Sequence, residues 1–309
     1  MQSAEGPPFS QSPAALRGAD EAAAGQGRSG VCASLSCVPS TLLIPLAGRA
    51  FGDALYPALA VDDVYARRTL EALGEDGQRW LEDRASVWGT LVRTQYVRTL
   101  ARAFLERHPQ GHVLNLGCGL SQYFQWLDNG RARMTEIDMP EVMALRQRLL
   151  PPLNDRHRMV ARDLSQPGWW EAAGVDAGGE VPLFILLEGV SMYLDRAQVR
   201  ALLRTVGERA PGGSMLVLDA LSEVARGPTQ WHRSLRHTGA CIRWGLHRQE
   251  DLQTPHQRLK LAGQFDVMAG YDWSSALGCA GFRFWTGVPF YGLYVLAVGG
   301  GEPAPVEAG

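Results

Sequence analysis

The chain has 309 residues, 30 of them basic and 32 acidic, for a formal charge of −2; Lys260 is its only lysine, so 29 of the 30 basic residues are arginine. A Walker-type phosphate loop needs a lysine after its second glycine, and an imine-forming enzyme would have to rely on Lys260 alone, so both chemistries are disfavoured. The even charge balance argues against a dedicated nucleic-acid binder, and 46% hydrophobic with 20% charged residues is the make-up of an ordinary globular enzyme.

Residues 1–40 are rich in Ala, Gly, Ser, Pro and Gln and read as a disordered leader. The apolar stretch from Val31 to Ala47 is broken by Pro39 and Pro45 and fits neither a signal peptide nor a membrane span. No other uncharged apolar run reaches the ~18 residues of a span, so a cytoplasmic protein with no membrane partner is expected. Residues 41–300 are read as one domain, with 301–309 a flexible tail. Residues 41–110 read as helix, with Leu91, Tyr96, Val97, Leu100, Phe104 and Leu105 at helical spacing and a stop at His108-Pro109-Gln110-Gly111. Strand then alternates with helix over residues 111–220. The strands are placed at His112–Leu116, Met134–Asp138, Arg158–Ala161, Pro182–Leu187 and Ser214–Asp219; the helices are placed at 141–150 and Gln198–Arg209. Such alternation predicts an α/β fold: a Rossmann-like, mostly parallel seven-stranded sheet with helices on both faces. Residues 221–275, polar with four histidines, read as a helical insertion or cap. Strands near Phe282–Thr286 and at Tyr291–Val298 complete the expected seven.

The motif Val113 to Leu120 (VLNLGCGL) is a strand ending in Gly117-Cys118-Gly119. Such a turn lets backbone approach a ligand, although many α/β proteins use one for packing. Asp138 follows Gly117 by 21 positions at the end of the next strand, where an acid can bind ribose hydroxyls. Gln122 stands where a dinucleotide fingerprint has its third glycine, which favours a nucleoside cofactor without pyrophosphate, such as S-adenosylmethionine. Asp163, before Leu164, either accepts from an adenine amino group or caps a helix. Glu188, before Gly189, ends a buried strand; its partner is either the cofactor's ammonium or an arginine. The Gly189–Tyr193 stretch lacks the closing glycine of a nucleophile elbow, which disfavours a serine hydrolase. The five cysteines form no CxxC pair and no ligand cluster, so reduced thiols and no metal are expected.

The ordered set LGCGL, EIDMPEV, ARDL, EGVSMYL and MLVLD resembles the leucine carboxyl methyltransferase superfamily. SQYFQWLDNGR, ALRQRLLPP and SLRHTGACIRWGL resemble its bacterial polyketide O-methyltransferase branch, over roughly residues 41–260. The resemblance implies a class I S-adenosylmethionine-dependent methyltransferase fold. It also implies cofactor contacts at Gly117, Cys118, Gly119, Asp138, Met139, Asp163, Leu164, Glu188 and Gly189. Arg93 matches the arginine that grips the cofactor's carboxylate, a role suited to a bidentate guanidinium. Ser121-Gln122-Tyr123 stands where the superfamily often has Asp-Thr-Arg, which shifts the acceptor pocket more than the cofactor site.

Methyl transfer from a sulfonium is an in-line displacement that the protein serves by orienting and desolvating. A carboxylate acceptor is already ionised, whereas a phenol needs a base. Candidate bases are Tyr193, His232, His237 and His247. Candidate acceptor contacts are Tyr123, Tyr193, Trp231 and Trp244, each with packing or a surface position as its alternative. The expected activity is O-methylation of a carboxyl or phenolic group on a polyketide-like small molecule. The alternatives are a protein carboxyl methyltransferase or a non-catalytic cofactor-binding partner in a biosynthetic complex.

Overall fold

The computed structural model describes residues 41–175, 181–228 and 240–299. Its centre is a seven-stranded sheet: β1 (His112–Leu116), β2 (Arg133–Asp138), β3 (His157–Ala161), β4 (Leu183–Leu187), β5 (Ser214–Leu221), β6 (Leu259–Asp266) and β7 (Tyr291–Val298). The spatial order is β3-β2-β1-β4-β5-β7-β6. Strands β1 to β5 run parallel, and β7 lies antiparallel between β5 and β6. The carboxyl ends of β1, β2, β4 and β5 therefore share one edge with the start of β7. Order reverses between β1 and β4, where a parallel sheet opens a ligand crevice.

Strands buried on both faces read as continuous apolar runs. Leu114, Leu116, Ile185, Leu187, Leu216 and Leu218 point to one face and pack on α7 (Trp169–Ala173) and α8 (Arg196–Arg209). Val113, Met134, Phe184, Leu186, Met215 and Val217 point to the other and pack on α4 (Arg84–Arg107). Each such side chain, fully buried, contributes about 1.5–3 kcal/mol. Helix α4 begins where Asp83 accepts from Ser86 N at 3.2 Å, and it ends before Pro109. Helix α8 starts in a capping box between Asp195 and Gln198. Pro140 opens α6 (Pro140–Leu149) directly after β2. Before α4, α1 (Leu43–Phe51), α2 (Val64–Leu73) and α3 (Gln78–Leu81) pack against Leu120 and Leu145 beside the glycine turn. A single turn, α5 (Phe124–Leu127), follows that turn.

Two expectations are corrected. The described part of residues 221–275 is not a helical cap: it holds strand β6 and a two-residue ladder between Gly227–Pro228 and Cys241–Ile242. Phe282–Thr286 is the end of helix α9 (Trp273–Thr286), not a strand. The aromatic run there suggests a strand by propensity. Asp272, accepting from Ser275 N at 2.6 Å, and Gly287, left-handed at φ 76°, cap it as a helix. The sheet reaches seven strands through β6 instead. Residues 1–40, 176–180, 229–239 and 300–309 lie outside the described residues, as do the leader and tail expectations placed at the two ends.

Candidate active site

Two cavities open along the carboxyl edge and share Thr41, Leu42, Gly117, Gly189 and Tyr193. The smaller, about 280 Å³, is walled by Asp138, Met139, Asp163 and Leu164. The larger, about 410 Å³, is walled by Arg93, Cys118, Gly119, Glu188 and Tyr291 together with apolar side chains such as Ile44, Met268 and Phe290. All ten cofactor positions expected from sequence thus lie on one wall or the other.

The glycine turn is shaped for close approach. Gly117 has φ +70°, and a Cβ there would come within 2.3 Å of Val190 Cγ2. Gly119 has φ +52°, and its Cβ would meet Leu42 at 2.9 Å. Only glycine takes this path without strain. Asp138 accepts from Gly119 N and Met139 N, each at 2.7 Å. Burial nevertheless pushes its carboxyl above the usual range, outweighing both donors. Asp163 accepts from Ser165 N at 2.8 Å, an Asx turn that leaves it on the wall of the smaller cavity. Behind the turn, buried Arg146 donates to the carbonyls of Gly119 (2.9 Å) and Ser121 (2.6 Å) and pairs with buried Glu136. It clamps the turn from below.

The larger cavity holds a compact ionic cluster. Arg93 Nε lies 3.2 Å from Glu188 Oε1 and 3.5 Å from Asp219 Oδ2, and its guanidinium also donates to Tyr291 Oη. Tyr291 in turn donates to Asp219 Oδ2 at 2.5 Å. Tyr123 donates to Glu188 Oε2 at 2.6 Å, and Gly189 N donates to Asp219 Oδ1 at 2.7 Å. Burial opposes the Arg93 charge, but Tyr291, Asp219 and Glu188 more than compensate and hold its pKa above the ordinary value. Burial raises the Asp219 carboxyl and both tyrosines, Tyr123 and Tyr291. One guanidinium against two carboxylates leaves the cluster one negative charge in excess.

S-adenosylmethionine carries a carboxylate, an ammonium and a sulfonium, a net charge of +1 that complements this excess. The positive-φ glycines and Asp138 suit its nucleoside half. The residues present therefore fit the cofactor.

Other candidates are placed differently. Tyr193 lines both cavities, and burial raises its hydroxyl pKa. Tyr123 is fully buried and acts on Glu188 instead of lining either cavity. Trp244 is buried in the core cluster beside Leu246 and Leu252, on neither wall, its backbone N donating to Met192 O at 3.3 Å. His247 is exposed, with Nδ1 3.0 Å from Glu223 Oε2 at the surface. Neither lies on the wall of the two cavities. Trp231, His232 and His237 lie outside the described residues. Sequence reasoning assigns no role to Asp219 or Tyr291. The one available signal was Asp219 near the carboxyl end of a buried strand, the same signal that marks Glu188.

This sheet order, with one antiparallel strand beside β5 and an acid-bearing crevice at its carboxyl edge, defines an S-adenosylmethionine-dependent methyltransferase. The leucine carboxyl methyltransferase family model matches residues 43–207, and the chain belongs to that family. Two curated proteins are similar. One is the tetracenomycin polyketide synthesis O-methyltransferase TcmP of Streptomyces glaucescens, 27% identical over 76% of this chain and 84% of that protein. The other is the S-adenosyl-L-methionine-dependent methyltransferase dpfgK of Gibberella zeae, 24% identical over 77% of this chain and 85% of that protein. Among solved structures, a protein from Thermobifida fusca described as a candidate methyltransferase shares the fold, with TM-score 0.52 and 17% identity over 82% of this chain and 94% of that one. Among the described residues, no helix is long and apolar enough to cross a membrane.

Proposed function

We propose that the protein is an O-methyltransferase that esterifies a carboxyl group on a polyketide-like small molecule. Bound along the two cavities, S-adenosylmethionine would supply a methyl group already activated by its sulfonium. Asp138 and Asp163 would hold the nucleoside half, and Arg93 and Glu188 the carboxylate and ammonium of the methionine half. Tyr123 and Asp219 orient Glu188 and Arg93. The apolar wall at Ile44, Pro45, Met192, Met268 and Phe290 would exclude water and seat the acceptor.

The observation that carries the carboxyl reading is the state of the acidic and phenolic oxygens around the larger cavity. Asp83 caps α4, Glu188 is held by Arg93 and Tyr123, and burial raises Tyr193 and Tyr291 away from the basic form. Among the described residues each of these is engaged, and none is set to take a proton from a phenol near pKa 10; His232 and His237 lie outside the described residues. A carboxylate, ionised at neutral pH, needs no such base. The similarity to the tetracenomycin polyketide enzyme supports the small-molecule class.

Incubation with methyl-labelled S-adenosylmethionine, aromatic polyketide acids and a cell lysate tests this reading. Label should enter the small-molecule fraction. Label confined to protein would identify a protein carboxyl methyltransferase instead, and cofactor binding without any transfer would identify a non-catalytic partner.

A further inference from the structure

Helix α9 connects β6 to β7 on the cavity edge of the sheet, yet none of its 14 residues is buried. Its inner side makes limited contacts, chiefly an edge-on pairing of Phe282 with Phe290 at 5.5 Å. Its outer side is apolar and open: Trp273 is 79% exposed, Leu277 67%, Phe284 82% and Trp285 85%. An amphipathic helix normally turns such a face inward, and exposed patches of this kind mark interaction sites.

We propose that this face pairs with the same face of a second copy of the chain, the two α9 helices running antiparallel about a two-fold axis. Three observations choose a second copy over other covers. The first is spacing. Trp273, Leu277, Ala280 and Phe284 recur at intervals of four, three and four, the seam spacing of paired helices. The second is self-complementarity, which a two-fold interface requires because each contact occurs twice with its roles exchanged. Antiparallel pairing about the helix midpoint sets Trp273 against Phe284 of the second copy and Leu277 against its Ala280. Large meets small at the centre and aromatic meets aromatic at both ends. Gly281 beside the seam has open space at its Cβ position and permits close approach. The third is charge and area. The seam has no charged residue; Arg283, the helix's only one, lies about a quarter-turn away. The aromatics expose roughly 150–250 Å² each, so the face offers about 600 Å² per copy. Two copies reach about 1,200 Å², the lower bound for a stable, specific interface.

The test is sedimentation equilibrium of the full chain at micromolar concentration. Wild type should sediment at twice the mass of one chain. Leu277→Glu and Ala280→Arg, each at an exposed position, should separately sediment as monomers while keeping native circular dichroism and S-adenosylhomocysteine binding. Mixed in equal amounts, they should recover the dimer, because this register sets the new glutamate against the new arginine across the axis. Trp273→Asp, at the end of the seam, is an independent disruption with the same expected outcome. A wild-type monomer overturns the proposal and leaves another segment of the chain or another protein as the cover. Single variants that remain dimeric overturn it by placing the interface elsewhere. A mixture that stays monomeric overturns the antiparallel register.

Discussion

Replacing Asp219 by asparagine removes one charge from the Arg93 cluster while keeping the side chain's shape. Asp219 is fully buried, accepts from Gly189 N at 2.7 Å and Tyr291 Oη at 2.5 Å, and stands 3.5 Å from Arg93 Nε. The cluster then passes from one excess negative charge to neutral. A unit charge acting across about 8 Å at an effective dielectric near 20 is worth about 2 kcal/mol, or about a 30-fold change in affinity. Stability should change far less. The Asp219 carboxyl is pushed up by burial, so its folded pKa lies above its unfolded one. Its charge therefore weakens the fold at neutral pH, and the stability it withholds returns as pH falls through that pKa. Arg93 also keeps Glu188 as a partner, so no buried charge is stranded. The assay is calorimetric titration of wild type and Asp219→Asn with S-adenosylmethionine and, separately, S-adenosylhomocysteine. The second ligand lacks the sulfonium and is neutral overall. The variant should lose about 30-fold for the cationic ligand and several-fold less for the neutral one. Equal losses for both, or no loss for either, would refute the charge-matching argument.

Other positions give separate outcomes. Arg146→Met takes the guanidinium from buried Glu136, leaving it beside His157 Nε2 at 3.0 Å, and releases the Gly119 and Ser121 carbonyls; urea unfolding should show a loss of about 3–5 kcal/mol. Gly117→Ala forces a side chain into left-handed backbone and onto Val190, so cofactor affinity should fall at least tenfold, at a strain of about 1–2 kcal/mol. Asp138, pushed up by burial, accepts from ribose hydroxyls more strongly when ionised. Affinity should therefore decline on acidification while pH is still above the ordinary carboxyl value of 3.8, and Asp138→Asn should bind weakly with that acid limb removed.

Strands β1, β4 and β5 were legible because a strand buried on both faces leaves a mostly apolar run, as Leu183–Leu187 does. Strand β6 was not. It is an edge strand in which only Leu259 is buried, and its register shifts between Leu261 and Gly263, so its pattern never alternates cleanly. Caps separated by 15 positions, Asp272 and Gly287, decided for a helix against the aromatic run of α9. In the site, Gly117, Asp138 and Glu188 announce themselves as strand ends. Asp219 carries the same signal, but its partnership with Tyr291 does not show, because their meeting depends on β7 lying antiparallel beside β5, with Leu221 opposite Tyr291. Trp244 and His247 had suitable chemistry, but one packs into the core and a surface glutamate holds the other.

The claim of carboxyl methylation is tested most directly by the alkali lability of the transferred methyl group. After reaction with methyl-labelled S-adenosylmethionine and an aromatic acid bearing both carboxyl and phenol groups, the product is treated with mild base. A methyl ester releases its label as volatile methanol, whereas a phenol ether keeps it. The site described here predicts release of essentially all the transferred label. Label that stays with the small molecule through base treatment would contradict the carboxyl assignment and require a proton acceptor at the cavity.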